Sequence, residues 1–356
     1  MKRRLLSIFI IICLFFALVF TKKNINTQAH ENNIDELNDF TMRVNNVHFE
    51  NDISINGFSI IQDQICDFLH EEFGEIKIIP AIDTKYNLIV LFFAENNENI
   101  IFKTYELECN FLISGQVKQS AKDISTFSFL DLNGDELEDI IIMFSCTDEN
   151  SKNTFNVGDV LFQNGKGFYR DFRISDKVNR FDMNKNVYAI RDYVKYGKST
   201  EFLYTSETLR QLTDRGFNVI KSQSFDVHLE KFGVVKFIPG YYTLAGQNYL
   251  MIYLINSDEN ILWNFQPMHA YTNYISIKAC SFMDINGDGF KDIIILADYV
   301  DNGGNENVAY VTDFNIYYQE AGYFIEDTEF KNSYTIADVD SLPDITLKAR
   351  QFWGWE

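Results

Sequence analysis

The sequence predicts an all-β protein of four-stranded antiparallel sheets in series, β-propeller-like and internally duplicated. Tandem β-sandwiches are the alternative arrangement of the same sheets. Three observations carry this. Apolar residues alternate with a period of two in short runs, as half-buried strands require. Related segments recur in the same order in both halves. Turn residues divide each half into groups of about four strands, the repeat length of a propeller blade.

The duplication is read by direct comparison. Residues 57–80 (GFSIIQDQICDFLHEEFGEIKIIP) match residues 216–239 (GFNVIKSQSFDVHLEKFGVVKFIP) at 11 of 24 positions without a gap. Residues 128–143 (SFLDLNGDELEDIIIM) match 281–296 (SFMDINGDGFKDIIIL) at 10 of 16. Repeat unit 1 therefore spans 53–198 and unit 2 spans 216–348, with a connector at 199–215 and an aromatic tail at 349–356.

In unit 2 the alternation places strands at Ser224–Glu230, Val234–Ile238, Tyr249–Ile255 and Ile261–Phe265. A second set follows at Ile275–Met283, Asp292–Tyr299, Val308–Tyr318 and Tyr323–Phe330. Short helical patches are expected at Val187–Val194 and Thr335–Val339, after the second sheet of each unit. In the tail, Trp353 and Trp355 alternate, so a strand there would turn both to one side. They would form a sugar-stacking platform or dock on the protein's own core.

The 356 residues are 46% hydrophobic and 15% aromatic, which excludes a disordered chain. A net charge of −20 repels phosphate backbones and excludes nucleic acid as a partner, whereas divalent cations are attracted. Lys2, Arg3 and Arg4 precede an uncharged apolar run, Leu5–Phe20, the pattern of an export signal. The run falls short of the ~20 residues of a full membrane crossing. Residues 1–21 are thus a signal peptide or signal anchor, and 22–52, polar and Asn-rich, a spacer. The expected location is exported, either tethered to the cell envelope or secreted, with membrane contact only through the N-terminal segment. Export permits disulfides among Cys66, Cys109, Cys146 and Cys280. Their counterparts in the other repeat are aromatic where they align, which favours buried thiols.

The chemical signal lies in two aligned loops. Asp131, Asn133, Asp135 and Asp139 occupy positions 1, 3, 5 and 9 of DLNGDELED, and Asp284, Asn286, Asp288 and Asp292 do so in DINGDGFKD. Oxygen side chains at alternate positions of a tight loop can converge on one cation. With the position-7 carbonyls of Leu137 and Phe290 and with water, they supply the six to eight oxygens Ca²⁺ takes. Three carboxylates and an amide suit a hard ion. Strands flank both loops and Ile142 and Ile295 replace the bidentate Glu of an EF-hand, so this is no helix-loop-helix site. The rival reading is a hairpin turn whose Asp, Asn and Gly serve geometry alone. Two copies in register favour the ion.

D-x-N-x-D-G-x-x-D, between a strand ending in Phe and one rich in Ile, resembles the FG-GAP/VCBS-type repeat of bacterial surface proteins and integrin α-chain propellers. The resemblance covers only the two loops. It implies a propeller used for binding and Ca²⁺ at Asp284, Asn286, Asp288 and Asp292. The first loop departs from it at Glu136, where the second has Gly289.

H-E-x-x-H, G-x-S-x-G, G-x-x-x-x-G-K-[ST] and a strand followed by G-x-G-x-x-G are all absent, and the five His show no ligand spacing. The sequence favours an exported calcium-binding module for a surface protein or glycan over an enzyme. An exported hydrolase acting on carbohydrate or another surface polymer, and a purely structural envelope protein, are the alternatives.

Overall fold

A computed structural model describes residues 38–110, 119–148, 154–265, 273–301, 309–337 and 340–355. The expected signal segment and most of the spacer lie outside them. The chain divides into two compact units, residues 1–107 and 108–356.

The first unit holds one five-stranded antiparallel sheet. Its strands are β1 (Phe58–Ile60), β2 (Cys66–His70), β3 (Gly74–Asp83), β4 (Ile89–Glu95) and β5 (Ile100–Thr104). The order is β1-β3-β4-β5, with β2 also paired to β3. Ile79 and Ala81 of β3 and Val90, Phe92 and Ala94 of β4 alternate onto one face. Helix α1 (38–45) and helix α2 (Glu50–Ile55) cover that face through Phe40, Val44 and Ile53, with Val47 between them. This corrects the spacer reading of 38–52. Phe40, Val44 and Val47 recur at helical spacing and are 0–1% exposed, so the folded part begins upstream of residue 53.

The second unit holds three sheets. The first has β6 (Gln119–Leu130), β7 (Asp139–Asp148), β8 (Thr154–Gln163) and β9 (Phe168–Arg170) in chain order. The next has β10 (Asn218–Val219), β11 (Phe225–Leu229), β12 (Gly233–Leu244), β13 (Gln247–Ile255) and β14 (Ile261–Phe265), ordered β10-β12-β13-β14 with β11 on β12. The last has β15 (Asn273–Met283), β16 (Asp292–Asp301), β17 (Ala309–Gln319) and β18 (Phe324–Glu326) in chain order.

The strand order of β1–β9 is thus repeated by β10–β18. Irregularities repeat as well. Register shifts fall between Ala121/Asp123 and Ile124/Thr126 on β6, and between Tyr274/Ser276 and Ile277/Ala279 on β15. Another pair falls at Phe93/Ala94 and Leu254/Ile255. Pairing errors do not recur by accident at matched positions; bulges are placed features of a strand.

Period-two alternation decides what each face meets. On β13, Leu250, Ile252 and Leu254 turn toward the β15–β18 sheet, meeting Ile293, Ile295, Ala297 and Tyr317. Tyr249, Met251, Tyr253 and Ile255 turn the other way, against Phe202 and Leu203 of α5 (Glu201–Thr205) and Leu212 of α6 (Leu209–Asp214). The connector 199–215 therefore contributes two helices to the core. On the far face of the last sheet, Ile294, Leu296, Phe314 and Ile316 meet α7 (Thr328–Ser333) and α8 (Leu342–Trp353). The β6–β9 sheet likewise packs Ile141, Met143, Val160 and Phe162 against α3 (Phe172–Arg180) and α4 (Val187–Tyr196). The sheets of the second half are thus stacked face to face, with helices outside.

α4 stands where a helical patch was expected. Residues 335–337 are not helical and instead join α7 to α8. The tail is not a strand either. Ser341 caps α8 with Asp344, and Gly354 closes it in the left-handed conformation. The tail docks on the protein itself: Trp353 Nε1 donates to Asp327 at 2.8 Å, and Phe352 and Trp355 pack on Phe330 and Tyr318. Cys66, Cys109, Cys146 and Cys280 are free thiols. Among the described residues no helix is long and apolar enough to cross a membrane.

Candidate functional site

Both Asp-Asn-Asp loops join the first two strands of a four-stranded sheet, β6 to β7 and β15 to β16. They share one set of bonds, to which the second adds Gly289 N donating to Asp284 Oδ2 at 2.9 Å. Asp131 Oδ1 accepts from Gly134 N at 2.6 Å, and Asp284 Oδ1 from Gly287 N at 2.7 Å. Asn133 accepts from Asp135 N and Asn286 from Asp288 N. Asp135 accepts from Leu137 N and Asp288 from Phe290 N. Asn133 and Asn286 also donate through Nδ2 to Asp135 and Asp288. Each loop is a run of Asx turns, the geometry Asp and Asn offer a tight reversal.

Position 9 differs from the rest because it is buried. Asp139 and Asp292 are both 0% exposed. Asp139 accepts from Leu132 N and Gln163 N, each at 2.9 Å, and Asp292 from Ile285 N at 2.8 Å and Gln319 N at 2.9 Å. Each carboxylate pins its loop to the third strand of the sheet. Burial pushes both carboxyls up, Asp292 to about 6, against the pull of the amides it accepts.

Several residues missed in the sequence complete the support. Gln163 and Gln319, also buried, donate through Nε2 to Glu138 O and Lys291 O. Cations arrive from the following helices: Lys195 of α4 donates to Asp131 O, and Arg350 of α8 to Asp284 O and Ile285 O. Glu230, on the β11–β12 turn, accepts from the backbone N and Nζ of Lys291. The Lys291 amide beside it is the first cause holding its carboxyl down at about 2. A matched Gln followed by a matched Asp helix cap, Gln163 with Asp171 and Gln319 with Asp327, was the sequence signal available.

In this geometry the carboxylates are closed onto their own loops. Among the described residues no three His, Cys or acidic side chains stand together at metal-binding spacing. The donor chemistry fits a hard cation all the same. The acceptors of the loops are all oxygens, and an oxygen that accepts one amide keeps a second lone pair. Asp131, Asn133, Asp135 and Asp139, and Asp284, Asn286, Asp288 and Asp292, would hold the ion, with the carbonyls of Leu137 and Phe290. A bound Ca²⁺ would supply charge neutralisation and a fixed loop geometry.

No protein-family model and no curated protein matches the chain. The loops therefore stand on their own residues.

The departure of the first loop from the second is local. Glu136 has φ 70°, where Gly289 has φ 87°. The left-handed region costs a residue with a side chain ~1–2 kcal/mol, partly offset because glycine also frees the unfolded chain by ~0.4–1 kcal/mol. Glu136→Gly is expected to stabilise the protein by about 0.5–1 kcal/mol in denaturant unfolding. A loss of stability would mean the Glu136 side chain holds the loop.

Proposed function

We propose that this chain is a duplicated, calcium-stabilised binding protein of the FG-GAP/VCBS-like kind, acting outside the cytoplasm on a surface protein or glycan. The observation that carries the reading is the identity of the two loops. Oxygen side chains fill the same four positions, in the same turns, at the same junction of the same kind of sheet. A turn needs no such conservation of carboxylates within one chain, since Gly and Asn alone would serve its geometry. The acidic charge of −20 draws divalent cations, and the apolar N-terminal run supports export. Alternating blades around an axis remain part of this reading, with the stacked sheets of the second half as neighbours.

Calcium acts here by binding the folded state alone. Extracellular modules bind at ~10⁻⁴–10⁻³ M, so millimolar Ca²⁺ adds about 0.5–2 kcal/mol per site. At about 2–4 °C per kcal/mol for a unit of this size, melting should rise several degrees between EGTA and Ca²⁺. Asp288→Asn removes an anion at position 5. It should melt above wild type in EGTA, because carboxylate repulsion is relieved, and below it in Ca²⁺. Asp135→Asn should do the same more weakly. One melting temperature for wild type in both buffers, with no calorimetric heat on adding Ca²⁺, would reduce the loops to turns.

A further inference from the structure

The two halves place different chemistry at one buried position. In the first half Asp159 of β8 accepts from Arg170 of β9, with Nε at 2.8 and 3.0 Å, and from Ser175 of α3. Arg170 also pairs with Glu108. This is an ordinary buried ion cluster. The corresponding residues of the second half are Asn315 on β17, Glu326 on β18 and Lys331 on α7.

There a primary amine, a carboxamide and a carboxylic acid are in contact. Strand β18 ends at Glu326, so the edge of β17 is open beside Phe314. Lys331 fills the gap. Its Nζ lies 2.7 Å from Phe314 O, 2.7 Å from Asn315 Oδ1 and 2.8 Å from Asp313 Oδ2. Asn315 is 0% exposed, and its Nδ2 donates to Glu326 Oε1. The Lys331 side chain is 10% exposed.

We propose that Lys331 and Asn315 join in an intramolecular isopeptide bond, with Glu326 as the proton shuttle. The Lys331 ammonium gives one proton to the Asp313 carboxylate. The freed Nζ lone pair attacks Asn315 Cγ. Glu326, protonated, delivers its proton to Nδ2 as the Cγ–Nδ2 bond breaks, and recovers one from Nζ. Ammonia leaves and takes the proton held by Asp313, departing as ammonium. One amide is exchanged for another, no atom changes oxidation state, and no co-reactant is needed.

The surroundings favour the reactive forms. Burial lowers the Lys331 amine toward neutrality and raises the Glu326 carboxyl toward its protonated form. Nζ is held within hydrogen-bond distance of the carboxamide, and such proximity is what an intramolecular reaction gains from most. Glu326 also lines a surface groove of about 480 Å³ with Trp263, Asn264 and Phe324, which gives the ammonium an exit. The product would clamp α7 to β17 next to the strand that pins the second loop. The proposal does not depend on calcium.

The test is the mass of the full chain after trypsin under denaturing conditions. Between Lys291 and Lys348 only Lys331 offers a cleavage site. An acylated Lys331 is not cut, so residues 292–348 should appear as one peptide, lighter by one ammonia, with fragmentation placing the link between Asn315 and Lys331. Glu326→Gln should restore cleavage after Lys331 and the full mass. Cleavage at Lys331 in wild type with no mass loss would overturn the proposal. So would loss of water, which marks Asp313 as the acyl partner, or ammonia loss mapped to Asn302-Gly303. A cross-link retained in Glu326→Gln would overturn the role of Glu326. The wild-type measurement stands whether or not the variant folds.

Discussion

Replacing Phe40 with alanine is expected to destabilise the first unit by about 3–5 kcal/mol, the range for a fully buried aromatic. Phe40 is 1% exposed. Its ring meets Tyr105, Phe58 and Tyr86 edge-on at 5.2, 6.3 and 6.5 Å. Those contacts pin α1 to the face of β3 and β4, so truncation removes both transfer energy and the helix's anchor. Met42, on the same helix but 57% exposed, is the control: Met42→Ala should change stability by under about 0.5 kcal/mol. All three tryptophans lie in the second unit, so the readout is hydrogen exchange at the amides of β3 and β4. If Phe40→Ala protects those amides as well as wild type does, residues 38–52 are a spacer after all.

That helix shows where the sequence was legible and where it was not. Its apolar residues stand at helical spacing, but the Asn-rich run around them masks the pattern. Strands that are buried on both faces read well. Over Tyr249–Ile255 of β13 and Ile293–Ala297 of β16 every residue is apolar and buried, and the strand boundaries sit near turn residues such as Ser257-Asp258 and Gly287. β10 was missed because two residues cannot establish a period. The docking of the tail was among the expectations, but its helix was hidden because Trp353 and Trp355 have strand spacing. The competing signals were present, a Ser341–Asp344 capping box with Pro343 behind it and Gly354 at the end, and capping chemistry outweighs two residues of alternation. At the loops, the four oxygen positions were legible because they are local. Their supports were not. Arg350 reaches Asp284 and Lys195 reaches Asp131 across more than sixty residues, and periodicity carries no information about such pairs.

The supports also separate two roles that the loop motif merges. Asp292→Ala should destabilise the second unit by about 2–5 kcal/mol, because each buried N–H left without an acceptor costs ~1–3 kcal/mol. Two buried donors lose their acceptor, Ile285 N and Gln319 N. Burial already disfavours the ionised carboxyl of Asp292, so its removal returns part of that cost and the lower half of the range is expected. At ~2–4 °C per kcal/mol this is a fall of roughly 10 °C. It should appear in EGTA as fully as in Ca²⁺. Asp288, exposed and bonded only within its loop, should show the opposite pattern: Asp288→Asn loses stability only in Ca²⁺ and melts above wild type in EGTA. Asp139→Ala should behave like Asp292→Ala, since its two oxygens meet Leu132 N and Gln163 N in the same way. Thermal melts of the three variants in both buffers decide the matter. If Asp292→Ala melts with wild type in EGTA and falls only in Ca²⁺, position 9 is an ion ligand alone, and the strand clamp contributes nothing to the fold.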